Sequence, residues 1–184
     1  MKRINQIVDK AKTDLFEYFS MYPNVVWKEE DLQSYLYHCL LVIEPKLKKR
    51  LHREYPVIKQ FKPRDWAGML DLAITEEYDK KFCVEDVKID CAIELKFMRN
   101  WRTGSSPKSP TGFEKQCIKD AGKLTTKAKN FKEDTKKYFW AFRLINTPQI
   151  DAVQKILKRI KWNDIEWSYI ECYADGSEYE IIHK

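Results

Sequence analysis

The chain has 184 residues with 34 basic and 28 acidic side chains, a formal net charge of +6. That length suits one domain with a sizeable core, and the mild basic excess is compatible with a polyanionic partner without requiring one. Six Trp, ten Tyr and nine Phe against only five Gly and seven Pro exclude a disordered or low-complexity chain.

Five cysteines, Cys39, Cys83, Cys91, Cys117 and Cys172, are odd in number and scattered, with no Cys-x-x-Cys pair and no histidine at zinc-ligand spacing. Reduced thiols in a cytoplasmic protein are the expectation. Charges at Asp9, Lys10, Lys12 and Asp14 follow the N-terminus, so no signal-peptide core is expected, and no apolar run approaches the ~20 residues of a membrane span.

In chain order, Ile4, Ile7, Val8, Ala11, Leu15, Phe16 and Phe19 repeat at helical spacing, and Pro23 closes that helix. A second helix is expected from Lys28 to Leu41, with Leu32, Tyr35, Leu36, Cys39 and Leu40 on one face. Its first turn holds Glu29, Glu30 and Asp31, which the helix dipole favours whatever the function. After Pro45, Leu47 to Arg50 continues past a kink. Leu51 to Lys59 reads as a strand that Pro56 confines to an edge or a bulge, and Pro63 and Asp65 mark a turn.

Gly68 to Thr75 forms the next strand, and a further strand is expected from about Phe82 to Phe97, antiparallel to it. Each carries a carboxylate inside an apolar run: Asp71 in Met69-Leu70-Asp71-Leu72-Ala73-Ile74, and Glu94 in Cys91-Ala92-Ile93-Glu94-Leu95-Lys96. A buried carboxylate costs several kcal/mol unless a cation or hydrogen bonds offset it, so the pair points to a shared divalent metal. Glu94 and Lys96, two apart on a strand, address one face. Acid-x-Lys also begins at Glu44, Asp79, Asp86 and Asp134, but only the tripeptide at Glu94 lies in a strand-like apolar run with a second buried acid upstream.

Arg99 to Gly112 is a Gly-, Ser- and Pro-containing loop that emerges beside Lys96. It reads either as a plain surface loop or as a phosphate clamp in which Arg99, Arg102 and Lys108 neutralise a nucleic-acid backbone. Phe113 to Lys129 is expected as a helix with Phe113, Cys117, Ala121, Leu124 and Ala128 inward; Tyr138 to Ile145 as a strand; Pro148 to Ile160 as a helix. Ile165 to Tyr173 and Tyr179 to Ile182 complete the chain as strands around Asp175-Gly176.

Asp71 in a Gly-x-x-Asp setting followed by Glu94-Leu95-Lys96 resembles the PD-(D/E)xK signature of restriction-endonuclease-like nucleases. The element order over roughly residues 28–146 is similar to their common core. The resemblance implies an α/β fold over one domain, residues 1–184, with a mixed central sheet of about four to six strands flanked by helices. It implies a Mg²⁺-dependent DNA endonuclease, with Mn²⁺ able to substitute, in which Asp71, Glu94 and the Leu95 carbonyl bind metal and Lys96 positions or activates water. It further suggests Glu30 as the helix glutamate of many relatives, Glu54 in a recurrent first-strand sequence, and Gln116, Lys119 and Asp120 on the helix after the motif. The RecB-like branch has Tyr where Asp120 stands, a departure from that branch. A His on the first core helix is a metal ligand in cap-snatching RNA endonucleases, which makes His38 the basis of an RNA-cutting alternative. A second alternative is a non-cutting domain that binds nucleic acid or protein. DNA is the expected partner in preference to RNA, with a homodimer compatible with double-strand cutting and no membrane association.

Overall fold

The computed structural model describes residues 4–59, 66–78, 83, 86–99, 110–145, 152–173 and 179–183. Two helices, α1 (Ile4–Met21) and α2 (Glu29–Ile43), lead through a 3-10 turn (Pro45–Lys49) into a sheet built from β1 (Leu51–Ile58), β2 (Trp66–Thr75), β3 (Ile89–Arg99), β4 (Phe131–Ile145), β5 (Glu166–Tyr173) and β6 (Tyr179–His183). Helix α3 (Pro110–Thr125) connects β3 to β4, and α4 (Ala152–Arg159) connects β4 to β5.

The six strands lie side by side in chain order. β1, β2 and β3 form an antiparallel meander, β3 to β5 run parallel, and β6 returns antiparallel. Two parallel pairs demand two crossovers, and α3 and α4 are those crossovers. The result is the expected mixed α/β sheet flanked by helices, with six strands among the described residues.

Side chains alternate along β3 and so divide the core in two. Cys91, Ile93, Leu95 and Phe97 pack with α1 and α2, through Phe16, Phe19, Leu32 and Leu36. Ala92 and Met98 pack with α3 and α4, through Cys117, Ala121, Leu124 and Leu157. Phe142 packs against Phe16 and Phe19 at centroid distances of 5.2 and 5.3 Å, in the T-shaped geometry aromatic quadrupoles favour.

Pro56 does sit on an edge strand. There the buried side chain of Asn130 replaces missing ladder partners, donating to the Pro56 carbonyl (2.8 Å) and accepting the Ile58 N–H (3.0 Å). Helix α3 stops at Thr125, short of the expected Lys129, because the Thr125 and Thr126 hydroxyls bond back to the Ala121 and Gly122 carbonyls and the next residues turn to reach β1. β4 starts at Phe131 rather than Tyr138: its polar first half is held by the Ile89↔Phe131 pairing and by Thr135, whose hydroxyl donates to the Ile89 carbonyl. β3 starts at Ile89, while Phe82, the expected start, lies outside the described residues, as do the turn around Pro63 and the turn at Asp175-Gly176.

The alternation inverts once on each of β1 and β2. Leu51 packs on the α1/α2 side, yet Tyr55 and Val57, of the same parity, pack on the other. Leu72 and Ile74 face α1/α2, yet Leu70 faces α3. Both inversions fall between the pairs Arg53↔Leu72 and Tyr55↔Leu70, at Glu54 and Asp71. Glu54 has φ 50°, a left-handed conformation that costs a non-glycine residue about 1–3 kcal/mol.

All five cysteines are free thiols, four buried and Cys83 exposed. Among the described residues no helix is long and apolar enough to cross a membrane.

Candidate active site

The site forms where β2 and β3 part. Their pairing runs from Thr75↔Ile89 to Leu72↔Ile93 and goes no further. Beyond it, the β3 amides that would have bonded to β2 need other acceptors. Two carboxylates serve: Asp71 Oδ2 accepts the Leu95 N–H at 2.6 Å, and Glu29 Oε2 accepts the Phe97 N–H at 3.1 Å. In a strand the N–H and C=O of one residue point to the same neighbour, so the Leu95 carbonyl faces the gap into which Asp71 reaches.

Glu94 and Lys96 share parity with Ala92 and Met98 and therefore face α3. Each is buried, with 1 % and 8 % of its surface exposed. Lys96 Nζ lies between Glu29 Oε2 (3.1 Å), on α2, and Asp120 Oδ2 (2.8 Å), on α3. A second lysine completes the cluster. Lys123 Nζ contacts Glu94 Oε2 at 2.6 Å, Asp120 Oδ1 at 3.0 Å and the Met69 carbonyl at 3.0 Å.

Gln33, buried on α2, ties the two face-inversion points together. Its Nε2 donates to the Asp71 carbonyl (2.7 Å) and to Glu54 Oε1 (3.0 Å), while its Oε1 accepts from Arg53 Nη2 (2.6 Å) and Nε (3.2 Å). Gln33 thus anchors the backbone of Asp71.

Burial drives the acid strengths. It pushes the Asp71 carboxyl up to about 7; the Leu95 N–H pulls the other way, and the charge of Glu29 adds to the rise. Burial and the neighbouring Asp71 hold Glu94 well above the ordinary carboxylate range, with Lys123 opposing. For Lys96, burial disfavours the ammonium, but Glu29 and Asp120 outweigh it and hold the group more basic than an ordinary lysine.

The expected residues therefore divide. Asp71, Glu94 and Lys96 come together, and Asp120 joins them by bridging both lysines. The helix glutamate at the cluster is Glu29. Glu30, one residue on and about 100° further round the helix, is exposed. Asp31 serves the helix start, accepting the N–H groups of Trp27 (2.9 Å) and Lys28 (3.1 Å). His38 is exposed, and nine residues from Glu29 places it on the opposite side of α2, away from the cluster. Glu54 is exposed and is linked to the Asp71 backbone through Gln33. Gln116 is half-buried one turn before Asp120, and Lys119 is exposed. Arg99 ends β3, while Arg102 and Lys108 lie outside the described residues.

Sequence reasoning missed Glu29 as the inward acid, and Gln33 and Lys123 altogether. Gln116, Asp120 and Lys123 stand at i, i+4 and i+7, one helix face, and that spacing was the available signal.

A hard divalent cation fits the chemistry of this donor set. Glu94 Oε1 is buried and has no hydrogen-bond partner among the described residues, and a buried carboxylate oxygen left so is costly. Among the described residues, the four carboxylates of Asp71, Glu94, Glu29 and Asp120 are gathered around the two ammonium groups of Lys96 and Lys123. Among the described residues no three His, Cys, Asp or Glu side chains converge on one point. Asp71, Glu94 and the Leu95 carbonyl are oxygen donors, the ligand type that a hard cation such as Mg²⁺ takes together with several waters.

No family model matches the chain, and no curated protein matches it. Among solved structures the chain is similar to P. aeruginosa ATCC27853 NucC in its cAAA-bound form, at 10% identity and a TM-score of 0.44, over 100% of this chain and 85% of that one. Likeness so distant bears on neither the site nor its substrate.

Proposed function

We propose that this protein is a Mg²⁺-dependent phosphodiesterase that cuts nucleic acid, a DNA endonuclease. The observation that carries this reading is the meeting of Asp71, Glu94 and Lys96 where β2 and β3 part, with Glu94 Oε1 buried and without a hydrogen-bond partner among the described residues. Asp71, Glu94 and the Leu95 carbonyl would hold the ion. When bound, it supplies charge neutralisation on the scissile phosphate and a lowered pKa for the attacking water.

The chain's own residues do the rest. Lys96, held between Glu29 and Asp120, stays an ammonium and donates hydrogen bonds, to the attacking water or to a non-bridging phosphate oxygen. Glu29 fixes the Lys96 head and, through the Phe97 N–H, the strand that carries it. Gln33 keeps Asp71 at the strand gap. Arg99 at the end of β3, Arg102 and Lys108 beyond it, and Lys119 exposed on α3 would take the flanking phosphates. A homodimer would bring two such sites to one duplex.

The test is cleavage of supercoiled plasmid, linear duplex, single-stranded DNA and RNA with Mg²⁺, Mn²⁺ or EDTA. Metal-dependent nicking or linearisation should vanish in Asp71→Asn, Glu94→Gln and Lys96→Ala. Cutting retained by all three variants would overturn the assignment. The same ion-pair web favours one other reading, a domain that binds nucleic acid or protein without cutting, because the two lysines partly compensate the acids on their own. DNA binding with no cleavage on any substrate would select it.

A further inference from the structure

Lys123 is placed unlike an ordinary salt-bridge lysine. Surface pairs engage one carboxylate and leave the remaining ammonium hydrogens to water. Here all three donors of the ammonium meet oxygens: Glu94 Oε2 at 2.6 Å, Asp120 Oδ1 at 3.0 Å and the Met69 carbonyl at 3.0 Å. Two carboxylates and a main-chain carbonyl are also the donor types a hard divalent cation selects.

The fold makes room for this arrangement at a cost. Gly68, one residue before Met69, has φ +142°, and a Cβ built there would lie 2.7 Å from Lys123 Cδ. β2 therefore gives up a side chain where the lysine stem passes. The other oxygen of the same carboxylate, Glu94 Oε1, is buried and has no partner among the described residues. One half of Glu94 is committed to the ammonium while the other half remains open, as in a carboxylate that bridges two cations.

We propose that Lys123 is the built-in occupant of a second cation site, formed by Glu94 Oε2, Asp120 Oδ1 and the Met69 carbonyl, and that a divalent cation enters this site once the ammonium is removed. The protein would then work with one exchangeable metal on the Asp71 side of Glu94 and a tethered ammonium in place of a second. The count of one metal in the wild type rests on the function proposed above; the occupancy by Lys123 does not. Lys123 is a positioning residue in this scheme, acting through Glu94.

The experiment counts Mn²⁺ per chain by electron paramagnetic resonance and calorimetry at fixed pH, on metal-stripped protein. Wild type should bind one ion, lost in Asp71→Asn. Lys123→Ser should bind two, the additional ion disappearing when Asp120→Asn is combined with it. An unchanged count of one in Lys123→Ser, or two ions already in the wild type, overturns the proposal while leaving the nuclease reading intact. No ion in the wild type but one in Lys123→Ser would support the occupancy and sink the metal-dependent nuclease. No ion in either would end both. Should the serine variant fail to fold, Lys123→Asn, whose amide can still hydrogen-bond to the cage, carries the same count. In the wild type, the Lys123 ammonium resonance must persist, protected from exchange, at saturating Mg²⁺; its release into solvent would overturn the proposal independently of any variant.

Discussion

Gly68→Ala should be among the most damaging one-methyl changes in this protein. Two terms contribute. The backbone at φ +142° lies in a region that a residue with a Cβ enters only at about 1–3 kcal/mol. The new methyl also meets Lys123 Cδ at 2.7 Å, closer than real Cβ contacts come, so the lysine stem must shift. Its ammonium is fixed by three oxygens, and losing one charged hydrogen bond there costs about 1.5–3 kcal/mol. The sum is about 2.5–6 kcal/mol, large against the stability of a domain of this size. Urea denaturation in EDTA, followed by circular dichroism, measures it. A double-mutant cycle with Lys123→Ala separates the terms: the backbone strain remains without the lysine and the contact does not, leaving a coupling of about 1.5–3 kcal/mol. A cost below about 0.5 kcal/mol for Gly68→Ala, or a coupling near zero, would refute the placement of Lys123 against β2.

Three further outcomes are expected. Glu29→Gln should lower cleavage about 100-fold by loosening Lys96, whereas Glu30→Gln on the exposed position should change it less than about twofold; equal effects would undo the assignment of Glu29. Asn130→Ala should destabilise by about 2–4 kcal/mol, because the Ile58 N–H and Pro56 carbonyl both lose their partner, and hydrogen exchange at Ile58 should accelerate in step with it. His52 is held by burial below its ordinary value of 6.5. The unfolded chain therefore binds the proton more readily, and this group's contribution to stability falls as pH drops through about 6.5. His52→Gln should flatten that part of the stability profile relative to wild type in metal-free buffer, and parallel profiles would rule the contribution out.

Much of the fold followed from local pattern. The apolar spacing of Ile7, Val8, Ala11, Leu15, Phe16 and Phe19 needs no partner to mark a helix face, and those residues are the buried ones on α1. Pro56, lacking an N–H, confined its strand to the edge, where β1 lies. Asp71, Glu94 and Lys96 stood out because charge inside an apolar run is costly without a compensating group, and each is drawn into the cluster.

Tertiary structure decided the remainder. Local spacing cannot say which of Glu29, Glu30 and Asp31 points inward, since the dipole favours acids anywhere in a helix's first turn; the choice came from the Phe97 N–H left free where two strands diverge. The inversion of side-chain faces at Glu54 and Asp71 breaks the very alternation from which strands are read, and only the pairing of β1 with β2 shows it. Lys123 lies 29 residues from Glu94 and among other lysines of α3, chemically identical to them in sequence. The charge it answers is supplied by β3 and the space by a glycine on β2, so its role exists only once α3 has crossed the sheet.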